Sequence, residues 1–118
     1  MFNGKHIMVT GATSGIGYAV TKDLLAAGAH ITAIGRNTER LNDLKHIGGE
    51  SISLLPFDLT DFSRYRETFA DLPPLDGLVH SAGIVENNPL RFFSLEKYQR
   101  IVDINQTAPL ALVAEFAR

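Results

Sequence analysis

Residues 9–17 read Val9-Thr10-Gly11-Ala12-Thr13-Ser14-Gly15-Ile16-Gly17, and this stretch decides the fold. It follows a short apolar run and precedes a segment in which apolar residues recur with helical spacing. Glycines allow a sharp turn and a close approach of the backbone to a ligand. A helix that begins near Gly15 points unpaired N–H groups and the positive end of its dipole at that turn. The stretch is therefore predicted to bind the pyrophosphate of a dinucleotide.

The spacing of the three glycines narrows this prediction. Gly11, Gly15 and Gly17 form the pattern GxxxGxG, which differs from the GxGxxG of the longer dinucleotide-binding folds. No glycine turn is followed by the GK[ST] of a phosphate-binding P-loop, so ATP or GTP hydrolysis is disfavoured. The alternative interpretation is a tight connection between strand and helix that binds nothing.

Composition excludes several classes of partner. The 118 residues are 45% hydrophobic and 20% charged with a net charge of −2, so no basic field favours nucleic acid. No apolar run is long enough to span a bilayer, and the N-terminus lacks a secretory pattern, so we expect a cytoplasmic protein with small-molecule or protein partners. Cysteine is absent. No metal site is expected, because metal-ligand spacing is lacking among the histidines His6, His30, His46 and His80.

Apolar runs typical of strands alternate with helical segments. The predicted strands are 5–10, 30–34, 52–55 and 77–80. The predicted helices are 15–28, 37–48, 60–70 and a last one from Ser94 with a possible bend at Pro109. Alternation of this kind predicts an α/β fold: a Rossmann-type doubly wound parallel sheet, here of about four strands in the order 3-2-1-4, with helices on both faces. Because the complete arrangement has six strands, residues 1–118 are predicted to be a single dinucleotide-binding domain that is the N-terminal part of a longer one.

Helix ends and inward faces follow from the same spacing. Gly28 is predicted to close the first helix, Asn37 or Thr38 to cap the second, and Thr60 or Asp61 to cap the third. The predicted inward residues of the first helix are Ile16, Ala19 or Val20, Leu24 and Ala27. Those of the second helix are Leu41, Leu44 and Ile47, and those of the third are Phe62, Tyr65 and Phe69.

Five landmarks in order then match a known family. The chain resembles the short-chain dehydrogenase/reductase family of the TGxxxGIG type over essentially its whole length. The landmarks are Thr10–Gly17, Gly35-Arg36, Asp58-Leu59, His80-Ser81-Ala82-Gly83 and Val102-Asp103-Ile104-Asn105.

The resemblance implies a set of cofactor-binding residues. Asp58 is similar to the family's adenine-contacting aspartate, with Leu59 beside the ring; its alternative role is a helix cap. Ala82 and Gly83 provide the small surface that the nicotinamide ribose approaches, although His80-Ser81 replaces the more usual pair of asparagines. The full predicted set is Gly11, Thr13, Ser14, Gly15, Ile16, Gly17, Arg36, Asp58, Leu59, Ser81, Ala82 and Gly83.

Charge at the end of the second strand indicates which cofactor binds. Folds that bind NAD place a carboxylate there on the ribose hydroxyls, and that carboxylate repels the extra phosphate of NADP. This chain has Gly35 followed by Arg36, whose guanidinium suits a 2′-phosphate, so NADP(H) is preferred over NAD(H). Ser14 stands where some relatives carry a second basic residue. In the alternative interpretation Arg36 is solvated and pairs with Glu39 or Asp43.

Catalytic residues are mostly absent. The family transfers hydride at the nicotinamide with a tyrosine acid/base, a lysine that lowers the tyrosine pKa, an orienting serine and an asparagine. Only the asparagine has a counterpart, Asn105, whose alternative role is a helix residue that bonds to the backbone. Tyr18 and Lys22 spell the family's YxxxK signature, but they lie in the first helix beside the predicted pyrophosphate, and we assign them no catalytic role.

These observations predict an NADP(H)-dependent oxidoreductase that acts on a small-molecule carbonyl or alcohol substrate and lacks its catalytic serine, tyrosine and lysine in this chain. By itself the chain is then expected to be inactive. The alternatives are a non-catalytic NAD(P)-binding module and an inactive truncated fragment that associates with a partner. The apolar helix 108–118 resembles a subunit interface of the family, so a homo-oligomer is expected.

Overall fold

The structure is a computed structural model that describes residues 1–13, 15–82 and 94–116. Its strands are β1 (His6–Thr10), β2 (His30–Gly35), β3 (Ile52–Pro56) and β4 (Gly77–His80). Its α-helices are α1 (Gly15–Ala26), α2 (Thr38–Gly48), α3 (Tyr65–Phe69), α4 (Leu95–Val102) and α5 (Ala108–Phe116).

The strands form one parallel sheet in the order β3-β2-β1-β4, which confirms the predicted topology. Every residue of the central strand β1 is buried, as expected for a parallel strand covered on both faces. Register pairs Thr10 with Ile34 on one side and with His80 on the other. The carboxyl ends of β1, β2 and β4 therefore meet at one edge of the sheet.

Packing divides the chain into two compact units. Unit 1 comprises Met1–Asp58 and Leu72–Ala82, and holds the sheet with α1 and α2. Unit 2 comprises Leu59–Asp71 and the described residues of Gly83–Arg118, and holds α3, α4 and α5. The core cluster of unit 1 consists of Ile7, Val9, Ala12, Ala29, Ile31, Ala33, Leu41, Leu44 and Ile52.

The inward face of α1 differs from the prediction. Ile16 is 76% exposed and Ala19 is exposed, whereas Gly17 and Thr21 are buried. The small residues face inward because the helix begins so close to β1 that only a side chain as small as hydrogen fits at its first turn. The Thr21 hydroxyl donates to the Gly17 carbonyl at 2.7 Å, which satisfies the buried oxygen. Val20, Leu24 and Ala27 are half-buried as predicted, and Gly28, at φ +94°, closes the helix.

Helix α2 begins at the cap that the sequence predicts. The Asn37 side chain accepts a bond from the Arg40 N–H at 3.1 Å. Leu41 and Leu44 are buried, but the prediction that Ile47 faces inward is wrong, since Ile47 is 52% exposed. At about 100° per residue, Gly48 continues the inward face of Leu41 and Leu44, and Ile47 lies well to one side of it.

The segment before α3 also departs from the prediction. Phe62–Arg64 forms a 3₁₀ turn and α3 has only five residues, so no regular helix covers 60–70. Asp61 does not cap that turn with its side chain, because its carboxylate accepts from the Ser63 hydroxyl at 3.3 Å and pairs with Arg64 at 3.7 Å. Tyr65 and Phe69 are buried as predicted, and the Tyr65 hydroxyl donates to the Leu59 carbonyl at 2.6 Å.

Between α4 and α5 the backbone widens into a π-helical turn, Asp103–Thr107. Ser94 caps α4 by accepting from the Lys97 N–H at 3.3 Å, as the predicted helix start requires. Pro109 lacks the N–H that would donate to the Asn105 carbonyl in an α-helix, and the Ala108 N–H bonds to the Asp103 carbonyl five residues back. The missing N–H of Pro109 is therefore accommodated in the π-helical turn that precedes this residue, and not by a bend at Pro109 itself.

The opposite edge of the sheet holds a polar cluster around His6, which is only 7% exposed. His6 Nδ1 lies 3.2 Å from the carbonyl oxygens of both Pro73 and Pro74, so this nitrogen must donate. His6 Nε2 lies 2.7 Å from the Thr32 hydroxyl. The His30 ring stands edge-on to the His6 ring at 5.7 Å between centroids. Burial, then His6 and Lys45, lower the pKa of His30 below its ordinary value.

The lowered pKa of His30 predicts that the folded protein loses stability as the pH falls. As pH falls below about 6.5, histidine in the unfolded chain takes up its proton before the folded protein does, so stability present above that pH is lost as pH falls toward the folded pKa. In denaturant titrations at pH 7.5 and 5.5, His30→Gln should lose less unfolding free energy than the wild-type protein. His46→Gln, a change of an exposed α2 residue, is the control and should follow the wild type. Equal losses in both variants contradict the prediction.

Candidate cofactor-binding site

The predicted pyrophosphate turn lies at the carboxyl edge of the sheet, between β1 and α1. Gly11 adopts φ +65°, a backbone conformation that L side chains rarely adopt. The Ala12 N–H donates to the Ile34 carbonyl at 3.1 Å, which ties the turn to β2. The turn is thus anchored on the strand that precedes Arg36.

Two glycines of the turn are required by close backbone approach. A Cβ added to Gly11 would lie 2.6 Å from the Ala82 nitrogen. A Cβ added to Gly17 would overlap the Gly11 carbonyl oxygen and the Ser81 hydroxyl oxygen. The turn, the start of α1 and the end of β4 are therefore packed against each other with no room for side chains at these positions.

His80 and Ser81 brace this packing although they replace amides. The Ser81 hydroxyl donates to the Thr10 carbonyl at 2.6 Å, and His80 Nδ1 lies 2.9 Å from the Thr10 hydroxyl. The Ala82 N–H donates to the same hydroxyl at 3.4 Å. An imidazole and a hydroxyl thus bridge β1 and β4 directly.

The outer side of the turn is open. Gly15 adopts φ +44°, and among the described residues, its own chain neighbours and helix turn aside, no atom lies within 4 Å of the place its Cβ would take. Ile16 beside it is 76% exposed. Open backbone at the start of a helix, with positive φ on either side of the turn, is a surface that a phosphate can approach. Two other predicted cofactor residues, Ser14 and Gly83, lie outside the described residues.

At position 35 the Thr13 side chain lies where a Cβ would stand. A Cβ added to Gly35 would lie 2.6 Å from the Thr13 methyl carbon, so Thr13 occupies the space over the end of β2. The next residue, Arg36, is exposed. Among the described residues Arg36 forms no ion pair, and the alternative pairing with Glu39 or Asp43 does not occur. Its guanidinium is available to a ligand.

Asp58 and Leu59 follow β3 and belong to different units. Asp58 is half-buried at the end of unit 1. It does not occupy the cap position of α3 or of the 3₁₀ turn before it, which begins at Phe62. Leu59, in unit 2, is only 6% exposed, so its side chain mainly packs within the protein. The contacts of both residues with adenine stay predictions.

Asn105 lies in unit 2, within the π-helical turn, and its side chain is exposed. Single π turns inside helices occur often at functional sites. The catalytic assignment of Asn105 stays a prediction.

The structure adds a residue that sequence reasoning missed, Arg40. Its guanidinium carbon lies 4.9 Å from the centroid of the Tyr18 ring, and Lys22 Nζ lies 5.2 Å from the same centroid. The contact between Tyr18 and Lys22 follows from their i,i+4 spacing on α1. Arg40 comes from α2, and its only sequence signal is a second arginine four residues after Arg36.

Within residues 1–13, 15–82 and 94–116, no three histidine, aspartate or glutamate side chains are grouped as a metal site requires. In the same ranges no helix has the length and apolar character to cross a membrane.

Comparison with known proteins agrees with this geometry. The family model described as short chain dehydrogenase matches residues 5–118. The chain is 32% identical over 104 residues to the NADP-dependent 3-hydroxy acid dehydrogenase YdfG of Escherichia coli K12, covering 84% of this chain and 42% of that protein. It is 33% identical to gluconate 5-dehydrogenase of Gluconobacter oxydans, covering 90% and 44%. A solved structure of serine dehydrogenase from Escherichia coli aligns with a TM-score of 0.85 at 28% identity, covering 95% and 54%.

A parallel sheet in the order 3-2-1-4, with a glycine turn leading into a helix at its carboxyl edge, defines a Rossmann-type nucleotide-binding protein. The chain belongs to the short-chain dehydrogenase/reductase family of oxidoreductases. It spans less than half the length of the curated relatives named above.

Proposed function

We propose that this chain is the cofactor-binding part of an NADP(H)-dependent oxidoreductase that transfers hydride between the nicotinamide and a small carbonyl or alcohol substrate. The observation that carries the cofactor preference is the pair Gly35-Arg36. Position 35 carries no carboxylate and packs against Thr13, and Arg36 is exposed with no ion pair among the described residues. The relative YdfG is named as NADP-dependent.

The glycine turn fits the pyrophosphate of this cofactor. Gly11 and Gly17 allow the backbone to pack without side chains, while Gly15 and Ile16 leave an open surface at the start of α1. The N–H groups of that first turn would donate to phosphate oxygens. Arg36 would pair with the 2′-phosphate, and Ser81 and Ala82 would form the surface beside the ribose of the nicotinamide.

The bound cofactor would donate hydride to a carbonyl or accept it from an alcohol, and this chain would supply mainly binding and orientation. Asn105 would position a proton-carrying group near the substrate. The serine, tyrosine and lysine that the family uses for acid/base chemistry would come from residues outside these 118. We also propose that residues 1–118 are one part of a longer cytoplasmic domain, and that α5 contributes to a homo-oligomer interface. The coding sequence beyond residue 118 tests the catalytic part, because a serine followed by YxxxK is required there.

Cofactor choice is tested by titrating the protein with NADPH and with NADH under the same salt conditions. A charge-assisted bond from Arg36 to the 2′-phosphate should make NADPH bind roughly tenfold tighter or more. Raising the salt concentration should reduce the difference between the NADPH and NADH affinities, since the ion pair of Arg36 with the 2′-phosphate would be exposed to solvent. Tighter binding of NADH at low salt contradicts the proposed cofactor.

A further inference from the structure

Tyr18 of α1 holds two cations on its ring. Lys22 of the same helix and Arg40 of α2 lie 5.2 Å and 4.9 Å from the ring centroid. We call these three residues the Tyr18 cluster. The ring is half-buried against the core of unit 1, whereas Lys22 and Arg40 are exposed. A ring fixed by packing thus anchors two long and otherwise mobile cationic side chains.

Among the described residues, ion pairs involve neither Lys22 nor Arg40, and the same holds for Arg36. Three positive charges on neighbouring turns of one unit repel each other, and proteins commonly compensate such charges with acidic partners. Without an ion-pair partner among the described residues, these cationic groups are available to an anion that arrives from outside.

The Tyr18 cluster lies at the edge of the sheet where the cofactor is proposed to bind. Tyr18 is the fourth residue of α1 and Arg40 the third residue of α2, and the two helices pack against each other. Both helices begin at the carboxyl edge of the sheet, the edge at which open α/β sheets bind ligands. The bond from the Arg40 N–H to the Asn37 side chain keeps Arg40 beside the turn that carries Arg36.

We propose that Tyr18 is a positioning residue that presents the Arg40 guanidinium, beside Arg36, to the phosphate monoester on the ribose of NADP(H). This inference rests on the proposed function and deepens it. Arg40 would supply a second positive charge, from α2, beside that of Arg36. Stacking on Tyr18 limits the rotamers of the arginine before the ligand binds, which lowers the entropy lost on binding.

The test compares Kd for NADPH and NADH in four variants. Arg40→Gln should raise the Kd for NADPH about tenfold and leave the Kd for NADH within twofold of wild type. Tyr18→Leu should weaken NADPH about threefold, the value of an exposed cation–π contact, again with little effect on NADH. Tyr18→Phe retains the ring and should match the wild-type ratio of the two constants. In the double variant Tyr18→Leu/Arg40→Gln the loss of NADPH affinity should equal that of Arg40→Gln alone, because Tyr18 acts through Arg40.

The two cofactors separate a specific effect from a structural one. A packing defect at Tyr18 would weaken NADPH and NADH alike, and that result overturns the inference. Arg40 is exposed, so Arg40→Gln should fold, and an unchanged ratio in this variant overturns the inference whatever Tyr18→Leu does. If wild-type protein prefers NADPH and the variants keep its ratio, the inference alone fails. If wild-type protein prefers NADH, the proposed cofactor fails and this inference with it.

Discussion

Replacing Gly17 by alanine should destabilise the protein by about 3 kcal/mol and abolish nucleotide binding. In an ordinary helix the same change stabilises by roughly 0.5–1 kcal/mol, because alanine loses less entropy on folding. Here the new methyl group would overlap the Gly11 carbonyl oxygen and the Ser81 hydroxyl oxygen, and would lie 2.7 Å from the Gly11 carbonyl carbon. The expected change in stability is therefore opposite in sign to the one that helix propensity predicts.

These neighbours cannot move away cheaply. The contacting atoms of Gly11 belong to the backbone, and Gly11 is itself packed against Ala82. Ser81 could move only by breaking its hydrogen bond of 2.6 Å to the Thr10 carbonyl. Relief must come from shifting α1 away from the turn, which removes the surface proposed to bind the pyrophosphate. Chemical denaturation should show the loss of unfolding free energy, thermal melting should show a fall of roughly 10 °C, and titration with NADPH should show no binding.

Gly77→Ala is the matched control. Gly77 is a half-buried glycine of β4 with an ordinary φ, and its added Cβ would lie 3.6 Å from Ile7, a normal van der Waals contact. This variant should be as stable as wild type or up to about 1 kcal/mol more stable. If Gly17→Ala proves as stable as Gly77→Ala, that result contradicts the close packing around Gly17.

Arg36→Asp should invert the cofactor preference, changing the ratio of the NADPH and NADH dissociation constants about a hundredfold. The substitution removes the guanidinium that pairs with the 2′-phosphate and puts a like charge beside that dianion. Both changes act on the ratio in the same direction. The unfolding free energy should change by less than about 0.5 kcal/mol, because Arg36 is exposed and forms no ion pair with any residue that the structure describes.

A change of net charge by itself must be separated from a local effect. Arg66→Asp makes the same charge change on α3, at an exposed arginine of unit 2. The ratio of dissociation constants in this variant should stay within twofold of wild type. An equal shift in Arg36→Asp and Arg66→Asp, or unchanged NADPH affinity in Arg36→Asp, would refute the assignment of Arg36 to the 2′-phosphate.

The strands and their order were predictable because their signals are local. A fully buried parallel strand such as β1 is a continuous apolar run, and glycine, proline and asparagine mark where such runs end. Asn37, Ser94 and Gly28 could be assigned as helix ends for the same reason: a cap requires particular chemistry within three residues of itself. The order 3-2-1-4 then follows from the handedness of the crossovers and from the resemblance to the family.

Side-chain faces were less predictable. Ile16 and Ile47 are apolar residues at plausible inward positions, yet both are exposed, because Gly17 and Gly48 approach their neighbours more closely than an isoleucine could. Hydropathy patterns assign glycine no inward preference, so a helix packed through glycines is rotated relative to the prediction. Asp61 likewise bonds to Ser63 and Arg64, partners that compete with the cap.

Sequence alone determined the strands, the glycine turn and the choice of Arg36 as a candidate, since each depends on residues close together in the chain. Only the tertiary structure decided that Thr13 occupies the space over Gly35, that His80 and Ser81 bridge β1 to β4 through Thr10, and that Arg40 reaches the ring of Tyr18. Each of these contacts joins residues at least 20 positions apart. Such pairs meet only when the sheet and its helices have packed, and no periodicity along the chain encodes which side chains then touch.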